Sequence, residues 1–278
     1  MPKFAILGYD TINIGDDIQS LCTTFLLPKI DYIILRDDYD KVWDYETKEP
    51  VTITEQCVLI LNGWFMHDPN RKYALNNFKF PIKNELITPV FISTCLPYHE
   101  PIHTQLYVPE CVEYYKKWEP IYARDNATFE MLQKHDIKTF LSGCLTQTLD
   151  RDNIPDNEMY KDKIILADVD VRQQGIIMEN HKTQNVEYVS THHYDKQLAE
   201  THPKDRLEKA KEILSIYKNA KKVYTTRLHC FLPVKAMGVD VEYIGDTNIY
   251  RMKGLLENDA NVEKQRLKEL FNNLLEKI

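Results

Sequence analysis

Glycine is scarce in this chain, with 8 in 278 residues against an average of about 7%. That scarcity excludes collagen-like and glycine-rich low-complexity classes, and each remaining glycine is expected to meet a local backbone need. Positive charge is not in excess either. With 35 Lys and Arg against 42 Asp and Glu, and a net charge of −7, no broad basic surface for duplex nucleic acid or anionic lipid is expected. Any anionic ligand must then be gripped locally. No apolar run approaches the roughly 20 residues of a membrane-spanning helix. The opening apolar run ends at Gly8, shorter than a signal-peptide core with its cleavage site. The six cysteines, at 22, 57, 95, 111, 144 and 230, form no C-x-x-C pair, a scatter that suits free thiols in a reducing compartment. A cytoplasmic protein is expected.

A hydrophobic fraction of 43% and a charged fraction of 28% are those of an ordinary globular chain. The length suffices for one large or two medium α/β domains without disulfides or a structural metal. Short β-branched runs alternate with helix-like segments, the order of parallel sheets covered by helices. Strands are predicted at 4–7, 32–35, 58–61, 90–93, 121–123, 139–141, 164–167, 186–189, 222–225 and 241–244. Helices are predicted at 16–27, 112–117, 127–135, 203–219 and 229–237. The polar stretch 150–162, with Asn153, Pro155, Asp156 and Asn157, reads as a linker. An α/β protein of two Rossmann-like lobes, 1–150 and 151–278, is therefore expected. Leu267, Leu270, Phe271, Leu274 and Leu275 form a helical stripe, and a helix over 261–277 packing back on the first lobe is expected.

Gly8, Gly63, Gly143 and Gly245 each fall within two residues of a predicted strand end. Ligands of open α/β sheets bind just outside the carboxyl ends of strands, so four such turns point to a shared cleft. Turns into helices also use glycine for its conformational freedom alone. The first of these loops carries Asn13, Gly15, Asp16 and Asp17. Asn13 and Gly15 suit a tight turn, and either carboxylate can serve as general base toward a sugar hydroxyl; a plain cap with a solvated acidic first turn is the alternative. At the end of strand 121–123, Arg124 can grip a carboxylate or phosphate with two hydrogen bonds, with Asp125 capping the next helix and orienting it. A structural Arg–Asp pair would look the same. Thr226, Arg227, Leu228 and His229 end another strand. In extended backbone Arg227 and His229 point to one face, and with the following helix start they make a phosphate site in which His229 is the acid–base group. A hydrogen-bonded core histidine is the competing account.

Two histidine pairs are set aside. His99-Glu100-Pro101-Ile102-His103 spells the zinc-protease pattern, but Pro101 is incompatible with the regular helix that pattern needs. His192 and His193 are adjacent and diverge in either regular structure. No metal and no cofactor are expected.

Together, the Asn13-Ile14-Gly15-Asp16 loop, Arg124-Asp125 and Thr226-Arg227-Leu228-His229, with Gly238 after the next helix, resemble the polysaccharide pyruvyl transferase family. The resemblance spans nearly the whole chain, and Arg-x-His is its most specific part. It implies a GT-B-like arrangement of two lobes and transfer of the enolpyruvyl unit of phosphoenolpyruvate to a sugar diol as a pyruvate ketal. Arg124 and Arg227 would meet the donor's carboxylate and phosphate, His229 would move protons, and Lys235 would add charge if its helix faces the cleft. Two loops depart from the pattern. Leu61-Asn62-Gly63-Trp64-Phe65-Met66 replaces a glycine-rich turn, and Ser142-Gly143-Cys144-Leu145 replaces an Asp-Pro pair. Trp64 and Phe65 there can stack on a sugar or nucleobase, or simply pack the lobe interface. A metal-independent inverting glycosyltransferase using a nucleotide sugar is the alternative on the same scaffold, and a non-catalytic glycan-binding protein is a third reading. The partners implied are a small anionic donor and a carbohydrate acceptor.

Overall fold

The computed structural model describes residues 2–65, 80–96, 106–182, 184–191, 198, 200–247, 252 and 254–278. Strands β1 (Lys3–Gly8), β2 (Tyr32–Leu35), β3 (Asp38–Asp44), β4 (Cys57–Leu61), β5 (Ile87–Thr94), β6 (Ile121–Ala123) and β7 (Thr139–Leu141) form one sheet. Its order is β3-β2-β1-β4-β5-β6-β7. All neighbours are parallel except β2 and β3, which run antiparallel. β1 and β4 sit at its centre and are buried along nearly their whole length, as expected for strands covered on both faces. A second sheet holds β8 (Ile164–Ala167), β9 (Val186–Val189), β10 (Lys222–Thr225) and β11 (Val241–Tyr243). It is parallel throughout, in the order β11-β10-β8-β9. The protein is thus α/β with two Rossmann-like lobes.

Seven α-helices lie among the described residues: α1 (Ile14–Thr24), α2 (Pro109–Lys117), α3 (Asn126–Lys134), α4 (Val171–Asn180), α5 (Pro203–Asn219), α6 (Leu228–Ala236) and α7 (Ala260–Leu275). Two elements were not predicted. β3, Asp-Tyr-Asp-Lys-Val-Trp-Asp, has no β-branched run, and only Tyr39 and Val42 supply buried apolar side chains. α4 buries Ile177 alone and leaves Val171 and Ile176 in solvent, so it lacks the apolar stripe that marks a helix in sequence.

α1 is buried almost all round, although it carries Asp16, Asp17, Gln19, Ser20 and Thr23. It lies between the first sheet and α5, and Asp16, Asp17 and Thr23 find partners, Thr11 and Asn62 in the first lobe and Arg206 in the second. Arg206 of α5 grips Asp17 with two bonds, Nε to Oδ1 at 3.0 Å and Nη2 to Oδ2 at 2.7 Å. One continuous apolar core joins the two sheets, containing Ile6 and Ile60 of the first, Ile18 of α1, Ile165 and Val223 of the second, Leu214 of α5 and Phe271 of α7. α7 is pinned further by Arg266 donating to the Ser142 carbonyl, and by Lys264 and Lys268 pairing with Asp150.

Candidate functional site

Each sheet has one place where successive connections leave in opposite directions. In the first it lies between β1 and β4, and in the second between β8 and β10. Crevices outside such points are the usual ligand sites of open α/β sheets. Here they open on one cavity of about 300 Å³. The first lobe lines it with Asn13, Gly15 and Asp16 after β1, Trp64 after β4 and Arg124 after β6; the second supplies Thr191 after β9 and Thr226, Arg227 and His229 after β10. Leu228, Cys230 and Met252 complete the wall.

Arg124 is 1% exposed. Burial works against its charge, but Asp125 and neighbouring groups outweigh that and raise its pKa above the ordinary value. Among the described residues the guanidinium's polar contacts are long: Nη1 to Gln19 Oε1 at 3.5 Å, Nη1 to His229 Nε2 at 3.4 Å, and Nε to Asp125 Oδ2 at 3.5 Å, with Nε making no hydrogen bond. A guanidinium has five N–H groups and no acceptor, so this buried cation has donors to spare at the cavity wall. Because it can only donate, a hydrogen bond between the two requires an unprotonated His229 Nε2.

Arg227 occupies the N-cap position of α6. Cap residues normally accept hydrogen bonds from the first turn, and a guanidinium cannot. The helix start therefore lines the cavity with no cap bond from its own N-cap side chain, an arrangement suited to an anion. The Arg227 side chain is 42% exposed, with Nε 3.5 Å from Asp168 Oδ2. Across the cavity, Asn13 caps α1 by accepting the Gly15 N–H at 3.0 Å, and Asp16, nearly buried, accepts from Thr11 Oγ1 at 3.0 Å. Gly15 leaves little space around it. A Cβ there would stand 3.0 Å from Asn13 Oδ1 and 3.5 Å from the His229 Cβ.

Seven residues proposed from sequence do not line the cavity. Asp17 points from the next position of α1 into the Arg206 pair. Asn62 is buried and donates to Gln19 O and Thr23 Oγ1, tying β4 to α1. Gly63 packs against Tyr9. Asp125 caps α3 through the Thr128 N–H at 3.0 Å. The Ser142 hydroxyl bonds Ala123 O and the Ser93 N–H, and Gly143, at φ +83, turns the chain beside Arg266 of α7. Lys235 donates to the carbonyls of Leu256 and Asn258 at 2.9 and 2.7 Å, which holds the segment carrying Met252. The reverse also occurs: Gln19, Asp168 and Thr191 reach the site without having been singled out. Asp168 and Thr191 had a signal, since each is within two residues of a strand end. His99, His103, His192, His193 and Met66 lie outside the described residues. Among the described residues no group of three or more His, Cys, Asp or Glu could hold a metal ion, and no helix is long and apolar enough to cross a membrane.

Two lobes, each built on a mainly parallel sheet and meeting over an arginine-lined cavity, define a two-lobed α/β protein with a cleft between its sheets. The chain belongs to the polysaccharide pyruvyl transferase family, whose model matches residues 13–232, and the family marks it as a transferase. The match contains every cavity residue except Met252. Among solved structures the chain is similar to an uncharacterized protein of Klebsiella pneumoniae subsp. pneumoniae, 14% identical, over 96% of this chain and 91% of that one, with a TM-score of 0.46. No curated protein matches it.

Proposed function

We propose that the cavity binds phosphoenolpyruvate and transfers its three-carbon unit to two hydroxyls of a sugar, giving a pyruvate ketal and inorganic phosphate. The observation that carries this reading is the pairing of a buried, under-bonded Arg124 with an uncapped helix start at Arg227. Two guanidinium groups and a helix N-terminus suit a small ligand bearing both carboxylate and phosphate. A cavity of about 300 Å³ is at the small end of ligand pockets, which favours a three-carbon phosphate over a nucleoside diphosphate sugar.

In the reaction the bond between the donor's central carbon and the phosphate oxygen breaks. Its methylene carbon gains one proton, the two sugar hydroxyls lose one each, and phosphate leaves with the other. His229 delivers the proton to the donor's methylene carbon, and Asp16, across the cavity from it, takes the proton of an attacking hydroxyl and passes it to the departing phosphate. Arg124 and Arg227 hold the charge that builds on the departing phosphate in a partly dry site. Asn13, Trp64 and Thr226 shape the remaining wall.

Thermal-shift titration tests the donor, because a ligand that binds only the folded state raises the melting temperature. Phosphoenolpyruvate is expected to stabilise the protein, and its mixture with a sugar acceptor to release phosphate. Stabilisation by a nucleotide sugar with none by phosphoenolpyruvate would instead assign the cavity to glycosyl transfer.

A further inference from the structure

Asp168 is the first residue after β8, at the point where connections in the second sheet diverge. Its backbone is left-handed, φ +53, a conformation that asparagine and aspartate adopt more readily than other side chains. The carboxylate collects donors from the end of the neighbouring strand: Ser190 Oγ at 2.7 Å, the Thr191 N–H at 3.1 Å, and the Thr191 hydroxyl. The Asp168 carbonyl accepts from Thr226 Oγ1 at 2.8 Å. Three strand ends, β8, β9 and β10, are thereby tied together at one residue.

Two things leave this knot toward the cavity. Arg227 Nε lies 3.5 Å from Asp168 Oδ2, an ion pair without a hydrogen bond, and a carboxylate on the Nε side leaves the Nη groups for another oxyanion. Thr191, held through both its N–H and its hydroxyl, presents its carbonyl to the Ile14 N–H at 3.0 Å. That bond crosses from the second lobe to the first residue of α1, between the cap Asn13 and Gly15.

We propose that Asp168 is a positioning residue: it aims the Arg227 guanidinium into the cavity and, through Thr191, fixes its spacing from the Asn13–Asp16 loop on the opposite wall. The proposal rests on the reading of Arg227 as an anion grip and adds the residue that sets that grip's direction. Asp168 is not among the residues that line the cavity. Its carboxylate is also negative beside an anion site, which makes the sign of its effect informative. Neutralising a charge that served only as local balance would tighten anion binding by removing repulsion. Neutralising a charge that orients Arg227 would weaken it.

The test is a double-mutant cycle read by calorimetric binding of three probes: inorganic phosphate, phosphoenolpyruvate and a uridine diphosphate sugar. Asp168→Asn keeps the left-handed preference and removes the charge. It is expected to weaken binding of whichever probe the wild type takes by about tenfold, equivalent to about 1.4 kcal/mol, and to add no further loss in an Arg227→Gln background. Tighter or unchanged binding, or the same loss in both backgrounds, overturns the assignment. If Asp168→Asn does not fold, Thr191→Val removes one hydroxyl donor to Asp168 and keeps the carbonyl bond to Ile14. It should weaken anions in the same direction, and unchanged affinity would again overturn the proposal. If phosphate binds and phosphoenolpyruvate gains nothing over it, the donor reading fails while Asp168 is still judged through phosphate. Failure of all three probes to bind the wild type overturns both.

Discussion

Gly15 and His229 face each other across the two lobes, with room between them for one methyl group and little more. Gly15→Ala should leave the melting midpoint nearly unchanged, because the position is not left-handed, yet shift the Asn13 cap and slow phosphate release a few-fold. Gly15→Val should lower it further by crowding the imidazole. His229→Gln removes the proton carrier without enlarging the side chain and should cost about 10²- to 10⁴-fold in transfer rate, with donor affinity retained. A His229→Gln protein at wild-type rate would remove His229 from the chemistry.

Arg124→Lys keeps one charge and loses the planar fork. A lysine cannot reach the donor, Gln19 and Asp125 from the same buried position, so phosphoenolpyruvate affinity should fall by about tenfold or more, as measured by calorimetry. Equal affinity in the two proteins would show that Arg124 is a structural cation.

The Asp17–Arg206 pair joins the lobes inside the core, and its halves are not equivalent. Burial pushes the Asp17 carboxyl up, to about 7, against the pull of Arg206, so a lone Asp17 can neutralise itself by taking a proton. A lone Arg206 stays charged. Asp17→Ala is therefore expected to cost about 3–5 kcal/mol in urea unfolding, and Arg206→Met less. In Arg206→Met the carboxyl pKa remains above its unfolded value, so stability should fall as the pH rises through neutrality. The opposite order of costs would contradict this account.

His202 caps α5 by accepting the Lys204 N–H at Nδ1, 3.1 Å away, with Trp43 edge-on to its ring. Burial lowers its pKa, and protonation would remove the accepting lone pair. The folded pKa thus lies below the unfolded one. The contribution is complete above about pH 6.5 and shrinks as the pH falls through the folded value. Unfolding midpoints measured from pH 7.5 to 5 should decline, and His202→Asn, which can still cap the helix, should flatten that decline.

Much of the fold could be read in the sequence because its central strands are unbroken apolar runs, as in Cys57–Leu61, and its longest helix opens on a proline and ends where Lys222–Thr225 begins the next strand. β3 and α4 escaped because neither concentrates apolar residues on one face. Strand-end logic also directed attention to Arg124, Arg227 and His229, which line one cavity. Direction along α1 was not available in the same way. Asp16 and Asp17 are adjacent, and what turns one to the cavity and the other away is Arg206, 189 positions later. Lys235 likewise answers to carbonyls at Leu256 and Asn258, a pairing that no local pattern announces.

The apolar interior that runs without a break from Ile6 through Leu214 to Phe271 bears on how the protein can be handled. Cleaving the chain in the polar stretch after Asp150 would divide that shared interior between the fragments and leave Asp17 or Arg206 without its counterpart. Neither fragment is then expected to be soluble by itself, and the intact chain should melt in one cooperative step. Reconstitution would require both pieces to be synthesised together.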